Sequence, residues 1–149
     1  MLTIRAATLN DLPELAQFWH EKIVLQADSR YTTSVDRWVI SATAWLGDAR
    51  CVMLTAENDG RPVGYVVGWI QPMPGLAGDA LGLITELALD AHSYQGGVGR
   101  ALVEAVRAWY ADRGITALAA WSSRRSPVEQ AFWRSVGALE WMECLWIKS

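Results

Sequence analysis

The sequence predicts an α/β chain of the α+β kind, built on one mixed sheet of about six or seven strands in the order β-α-α-β-β-β-α-β-α-β-β. Three observations carry this reading. The runs CVMLTA and PVGYVVGWI flank ENDGR, whose Asp59-Gly60 pair is a strong hairpin signal, so these two strands are antiparallel. LGLITELALD, a helical stretch from about Val98 to Arg113, and ITALAAWS form a strand-helix-strand crossover, which joins parallel strands. The 149 residues fit one domain, 1–149, around one core, with no repeat or low-complexity linker.

Each element has a local reason. LTIR, residues 2–5, is a short strand. A helix follows, with Leu12, Leu15, Trp19 and Ile23 at helical spacing and Thr8 and Asn10 as candidate caps. A second helix carries Val35, Trp38, Val39, Ala42, Trp45 and Leu46 on one face, opened by Ser34 and stopped by Gly47. QPMPGLAGDA, residues 71–80, holds two prolines and two glycines and reads as a loop. The Val98–Arg113 helix, with Val98, Leu102, Val106 and Trp109 on its apolar face, closes at Gly114. ITALAAWS is apolar enough for a strand covered on both faces. SPVEQAFWRSVGA has Ser126 as N-cap, Pro127 at the first helical position and Glu129 two residues on, which together make a capping box, and ends at Gly137. ALEWMECLWI supplies the last strand or pair of strands.

Charge and composition exclude several classes. Thirteen basic and 16 acidic residues give a net charge of -3 without a basic stripe, which disfavours a nucleic-acid partner. No apolar run reaches the roughly 18 to 20 residues of a membrane span and no charged-then-apolar leader opens the chain, so the expectation is a cytoplasmic protein with no membrane partner. Cys51 and Cys144 belong to no Cys/His cluster, so no metal and no disulfide is expected. Nine tryptophans are many for this length; most should be core, with one or two free to line an aromatic ligand cleft.

SYQGGVGR places Gly96, Gly97 and Gly99 at a helix start. There several amides lack intrahelical partners, and the macrodipole adds roughly half a positive charge. Bare backbone lets a phosphate reach those amides, and Arg100 can add a cation; the alternative is a tight structural turn. The loop is neither a P-loop, which needs GxxxxGK[ST], nor a dinucleotide fingerprint, which follows the first strand.

The chain resembles the GNAT family of acyl-CoA-dependent N-acetyltransferases over essentially its whole length. ITELALDAHSYQGGVGRALVEAVRAWYADRGI is similar to the family's acetyl-CoA segment with its [QR]xxGx[GA] loop, SPVEQAFWRSVGA to the helix that follows, and IRAATLNDLPEL to the family's opening. The resemblance implies the GNAT fold, a twisted sheet with helices on both faces. It implies acetyl-CoA as co-substrate, with phosphates on Gly96, Gly97, Val98, Gly99 and Arg100. Tyr94 fills the loop's first position if no gap is allowed, and Gln95 fills it if one residue is missing. The strands flanking the loop would splay, so that main-chain groups along Leu87, Ala88 and Leu89, those of Leu87 and Leu89 above all, meet the pantetheine arm. Ser126 stands where relatives carry a cofactor-contacting residue, although its capping role already accounts for it. Phe132 and Trp133 would wall the thiol end or belong to the helix core.

Glu86, a carboxylate in the apolar run LITELAL, is the candidate base that takes the acceptor's proton, against the alternative of a salt-bridged strand glutamate. Trp133 replaces the tyrosine that protonates the departing thiolate in many relatives, and an indole N–H does not ionise usefully. Tyr31, Tyr65, Tyr94 and Tyr110 are the other candidate acids. The acceptor amine would lie near Tyr31, Trp69, Gln71 and Asp79, with His20 and Asp28 as further neighbours. The function expected is transfer of an acetyl group to a primary amine of a small molecule or peptide in a ternary complex. A silent CoA-binding module and a transferase using another acyl-CoA are the alternatives. A homodimer is compatible with the resemblance, its interface supplied by the Trp-rich C-terminal strand, unless Trp141 and Trp146 are core.

Overall fold

The computed structural model describes residues 1–25, 32–93 and 96–148. Its elements are β1 (Leu2–Ala6), α1 (Leu12–Leu25), α2 (Val35–Leu46), β2 (Cys51–Asn58), β3 (Arg61–Pro72), β4 (Ala80–Leu89), α3 (Val98–Ala111), β5 (Leu118–Ala120) and α4 (Pro127–Ser135). One sheet has the order β1-β2-β3-β4-β5. Its first three pairings are antiparallel and the β4–β5 pairing is parallel.

The local signals act as expected. Asp59 and Gly60 both take positive φ, 53° and 80°, which closes the β2–β3 hairpin with the twist its strands require. Ser34 Oγ accepts from the Arg37 N–H at 3.3 Å, and Ser126 Oγ from the Glu129 N–H at 3.2 Å. Before α1, Asp11 accepts from the Thr8 N–H at 2.7 Å and is forked by Arg5, whose guanidinium also binds Glu57. This network ties the first strand to the first helix.

The core has two layers, one on each face of the sheet. Val52, Val66 and Ile84 face α3, where Leu102, Val106 and Tyr110 close the layer. Met53, Tyr65, Val67 and Ala88 face α1 and α2, against Leu12, Leu15 and Trp38. Tyr110 is fully buried, and its hydroxyl donates to the Trp69 carbonyl at 2.9 Å. A Cβ on Gly68 would stand 2.4 Å from that oxygen, so the strand glycine makes the slot.

Two expectations need correction. Among the described residues the sheet has five strands rather than six or seven, because residues 138–148 form no strand. The fifth strand is also shorter than ITALAAWS suggests and only partly buried. Its partner strand bends away, for a reason that lies in the site.

Candidate active site

The geometry of β4 organises the site. Val67 of β3 pairs with Glu86, but the next residue, Gly68, pairs with Ile84. Thr85 is therefore an extra residue, a β-bulge, and bulges re-aim side chains and end pairings. The parity of the strand reverses across it: Ile84 packs in the α3 layer, whereas Ala88, four residues later, lies in the α1–α2 layer with Leu89 now facing α3. Pairing with β5 runs only from Gly82 to Ile84, plus a last bond from the Trp121 N–H to the Ile84 carbonyl at 2.9 Å. From Thr85 onward β4 and β5 part.

The hydrogen-bond phase says which groups face the resulting cleft. The Asp90 N–H donates to the Val63 carbonyl at 2.8 Å, so the alternate residues Ala88 and Glu86 turn their main-chain groups to β3. Leu87 and Leu89 turn theirs the other way, into the cleft. Ala88 thus does not offer the main-chain contact expected of it. The Leu87 carbonyl faces the cleft, with one lone pair already accepting from Lys22 Nζ at 2.8 Å. Lys22 also lies 3.5 Å from Glu129 of α4, so it links the two sides of the cleft.

Glu86 projects towards α1 and α2. Its Oε1 accepts from Tyr65 Oη at 2.7 Å and from Trp38 Nε1 at 3.0 Å, while Oε2 bonds to none of the described residues. Burial raises the Glu86 pKa above the usual carboxylate range, and the two donors and Lys22 pull it partly back. Burial and the neighbouring carboxylate push the Tyr65 hydroxyl well up, so it stays a proton donor to Glu86. The carboxylate borders a cavity of about 290 Å³ whose lining includes Trp19, Trp38, Trp45, Ser34 and Arg37. Trp19 stacks on Trp38 at 6.2 Å between centroids, Trp45 meets Trp38 edge-on, and Trp69 meets Trp45 edge-on.

The phosphate loop sorts its three glycines into different roles. Gly97, at φ 77°, is the left-handed N-cap of α3, a conformation that other residues rarely adopt. Gly99 is bare for packing: a Cβ there would stand 2.8 Å from the Phe132 ring of α4. Gly96 has neither reason, since its φ is not positive and a Cβ would find its nearest atom at 3.8 Å. Its own amide donates to the Ser93 carbonyl at 3.3 Å. The first helical bond runs from Ala101 to Gly97, which leaves the N–H groups of Val98, Gly99 and Arg100 without helical acceptors at the helix mouth. The Arg100 guanidinium meanwhile donates to the Ser135 carbonyl at 3.0 Å and caps the end of α4. These features fit an anionic, extended cofactor: amides that bond to none of the described residues, a cradle that a side chain at 96 would fill, and a strand edge that continues into the cleft.

The remaining expected residues divide clearly. Ser126 spends its hydroxyl on the α4 cap. Phe132 packs over Gly99, and Trp133 is buried with an indole N–H that has no hydrogen-bond partner. Trp69 belongs to the tryptophan cluster, whereas Gln71, near the end of β3, and Asp79, in the β3–β4 connection, are exposed and do not line the cavity. Asp79 instead bends that loop at φ 52°. His20 keeps a buried Nδ1 with no partner. Asp28, Tyr31, Tyr94 and Gln95 lie outside the described residues. Sequence reasoning missed Trp19, Ser34, Arg37, Trp38 and Trp45 as cavity lining. A signal was present: Ser34, Trp38, Ser41 and Trp45 recur at i, i+4, i+7 and i+11, one face of α2 on which hydroxyls alternate with indoles.

Comparison with known proteins agrees with this geometry. The model of the Acetyltransferase (GNAT) family matches residues 12–138. The chain belongs to this family. Its mixed sheet and flanking helices are the GNAT fold. An L-2,4-diaminobutyric acid acetyltransferase of Nocardia farcinica (strain IFM 10152) is 27% identical over 133 residues, which are 89% of this chain and 62% of the relative. The GNAT chain thus spans less than two thirds of that curated relative's length. Among solved structures, a predicted acetyltransferase from Clostridium acetobutylicum with acetyl-CoA superposes with a TM-score of 0.81 at 14% identity, covering 99% of this chain and 96% of that one. An aminoglycoside antibiotic 6'-N-acetyltransferase from Acinetobacter haemolyticus gives a TM-score of 0.81 at 15% identity, with 99% and 97% covered.

Proposed function

We propose that this GNAT chain transfers an acetyl group from acetyl-CoA to the primary amine of a small molecule held in the tryptophan-walled cavity. One observation carries the reading: the bulge at Thr85 both opens the β4–β5 cleft and turns Glu86 into the cavity, so donor and acceptor sites meet at one strand. The pyrophosphate would sit on the amides of Val98, Gly99 and Arg100, with Gly96 leaving room. The pantetheine arm would run along Leu87 and Leu89, and a main-chain N–H there would polarise the thioester carbonyl as charge builds on it.

An alkyl ammonium with a pKa near 10 must lose a proton before it attacks. Glu86, ionised and held through Oε1, presents Oε2 to take it. The amine nitrogen then attacks the thioester carbon, the C–N bond forms, the C–S bond breaks, and the nitrogen gives up its second proton to water. A thiol pKa of about 8.5 lets the sulfur leave as thiolate and take its proton from water. No acid is needed at 133. This agrees with Tyr65 and Tyr110 both being buried and engaged elsewhere.

Arg37 borders the same cavity as Glu86, so an acceptor with an amine at one end and a carboxylate at the other fits its charges. The diaminobutyrate named for the Nocardia relative has that pattern. The test is thiol release from acetyl-CoA with a panel of amines. Release only with amines, lost on Glu86→Gln, supports the reading; coenzyme A binding without release from any amine leaves a silent binding module.

A further inference from the structure

We propose that Lys22 is the cation that stabilises the negative charge building on the coenzyme A sulfur as the thioester breaks. The proposal rests on the acetyl-CoA reading above and deepens it.

Lys22 stands in the last turn of α1. A lysine there ordinarily turns to the carbonyls at the end of its own helix, where the macrodipole is negative. Lys22 crosses to the cleft instead. Its Nζ donates to the Leu87 carbonyl of β4 at 2.8 Å and lies 3.5 Å from Glu129 Oε1 of α4. An ammonium has three protons to donate. One goes to Leu87 and a second is turned to Glu129, so the third bonds to none of the described residues. The two side chains are only 19% and 14% exposed, and charge acts more strongly there than at an open surface.

The layout of the chain says what would meet this ammonium. The amides of Val98, Gly99 and Arg100 lie past the end of β4, and the cavity that Glu86 borders lies at the other end of the splayed stretch. An arm that starts on those amides and ends where an amine meets Glu86 passes Leu89 first and Leu87 last. Its sulfur would therefore lie beside the carbonyl that Lys22 holds. When the C–S bond breaks, the electron pair stays on sulfur. Lys22 offsets that charge and keeps its own proton, and the thiolate takes one from water as above. Trp133 has no ionisable proton to offer, and the Arg100 guanidinium already donates to the Ser135 carbonyl. The ammonium faces two carboxylates, Glu86 from β4, whose ionised form it also favours, and Glu129 from α4, which tempers its charge.

The test is the titration of the sulfur in the complex of the protein with coenzyme A. It is read by the ultraviolet absorbance of the thiolate after subtraction of the unliganded protein, with affinity by calorimetry alongside. Lys22→Gln should make the bound thiol titrate higher than in the wild type, by about one pH unit. Glu129→Gln should move it lower, because a carboxylate that opposes the thiolate is gone. Opposite shifts separate charge from scaffolding. If Lys22 only ties α1 to α4, both variants break the same tie and move the thiol in one direction or not at all, and the proposal is overturned. Should Lys22→Gln fail to fold, Glu129→Gln decides alone, since an unchanged or raised titration overturns the proposal by itself. A wild-type chain that takes up no coenzyme A is a separate failure: it overturns the acetyl-CoA reading, and this proposal with it.

Discussion

The Tyr65 hydroxyl donates to Glu86 Oε1 at 2.7 Å from a fully buried ring, and this bond offsets part of the rise in proton affinity that burial gives the carboxylate. A donor to the ionised form lowers a carboxyl pKa. Tyr65→Phe removes the donor and changes little else, so Glu86 should hold its proton to higher pH. The acid limb of the kcat/KM profile should move upward in pH, and a profile that does not move would separate this bond from the reaction.

Glu86→Gln should lower kcat/KM by about 10²–10⁴, the usual worth of a positioned base, with coenzyme A affinity unchanged by calorimetry. Stability should change in the opposite direction. The Glu86 pKa is raised in the fold, so its contribution is fully present below the ordinary value of 4.5 and is lost as pH rises through the raised one. The amide escapes that loss. The melting-temperature difference, variant minus wild type, should therefore grow more positive from pH 4 to pH 8.

Asp11 should behave in the reverse sense. The Arg5 guanidinium holds its carboxyl below the usual range, so the stabilisation is present above pH 3.8 and disappears as pH falls through the lowered value. Asp11→Asn should cost about 1–3 kcal/mol at neutral pH in urea unfolding, with the difference from wild type shrinking in strong acid.

The loop glycines separate folding from binding. Gly99→Ala pushes a methyl into the Phe132 ring and should cost about 1–3 kcal/mol of stability. Gly96→Leu meets no crowding in the protein and should leave the melting temperature alone while weakening coenzyme A by about tenfold, or about 1.4 kcal/mol. Unchanged affinity would take Gly96 out of the phosphate site.

What was legible in the sequence was what neighbours along the chain decide. Asp59-Gly60, Ser34, Ser126 and Gly137 punctuate the elements where local chemistry says they should, and Glu86 stands out because a carboxylate in LITELAL needs a reason. What was illegible depends on register between distant segments. Nothing in LGLITELALD marks Thr85 as the inserted residue, since the bulge exists only relative to β3. The cavity needed two helices and a strand to meet, so Trp19, Trp38 and Trp45 read as core. ALEWMECLWI was read as strand from its own composition, but a strand also needs a neighbouring strand, and among the described residues it joins none.

Thr85 acts on β4 as an inserted letter acts on a reading frame. Every side chain downstream changes face, so the strand's length up to that point is constrained more tightly than its composition. Straightening the bulge, so that Thr85 took a regular place in the ladder, would leave each amino acid in its familiar order yet turn the carboxylate into the oily layer under α3, with Leu87 taking its place beside the indoles. Substitutions along β4 would be graded in their effects, but a slip that absorbed Thr85 into the ladder would abolish the chemistry at a stroke.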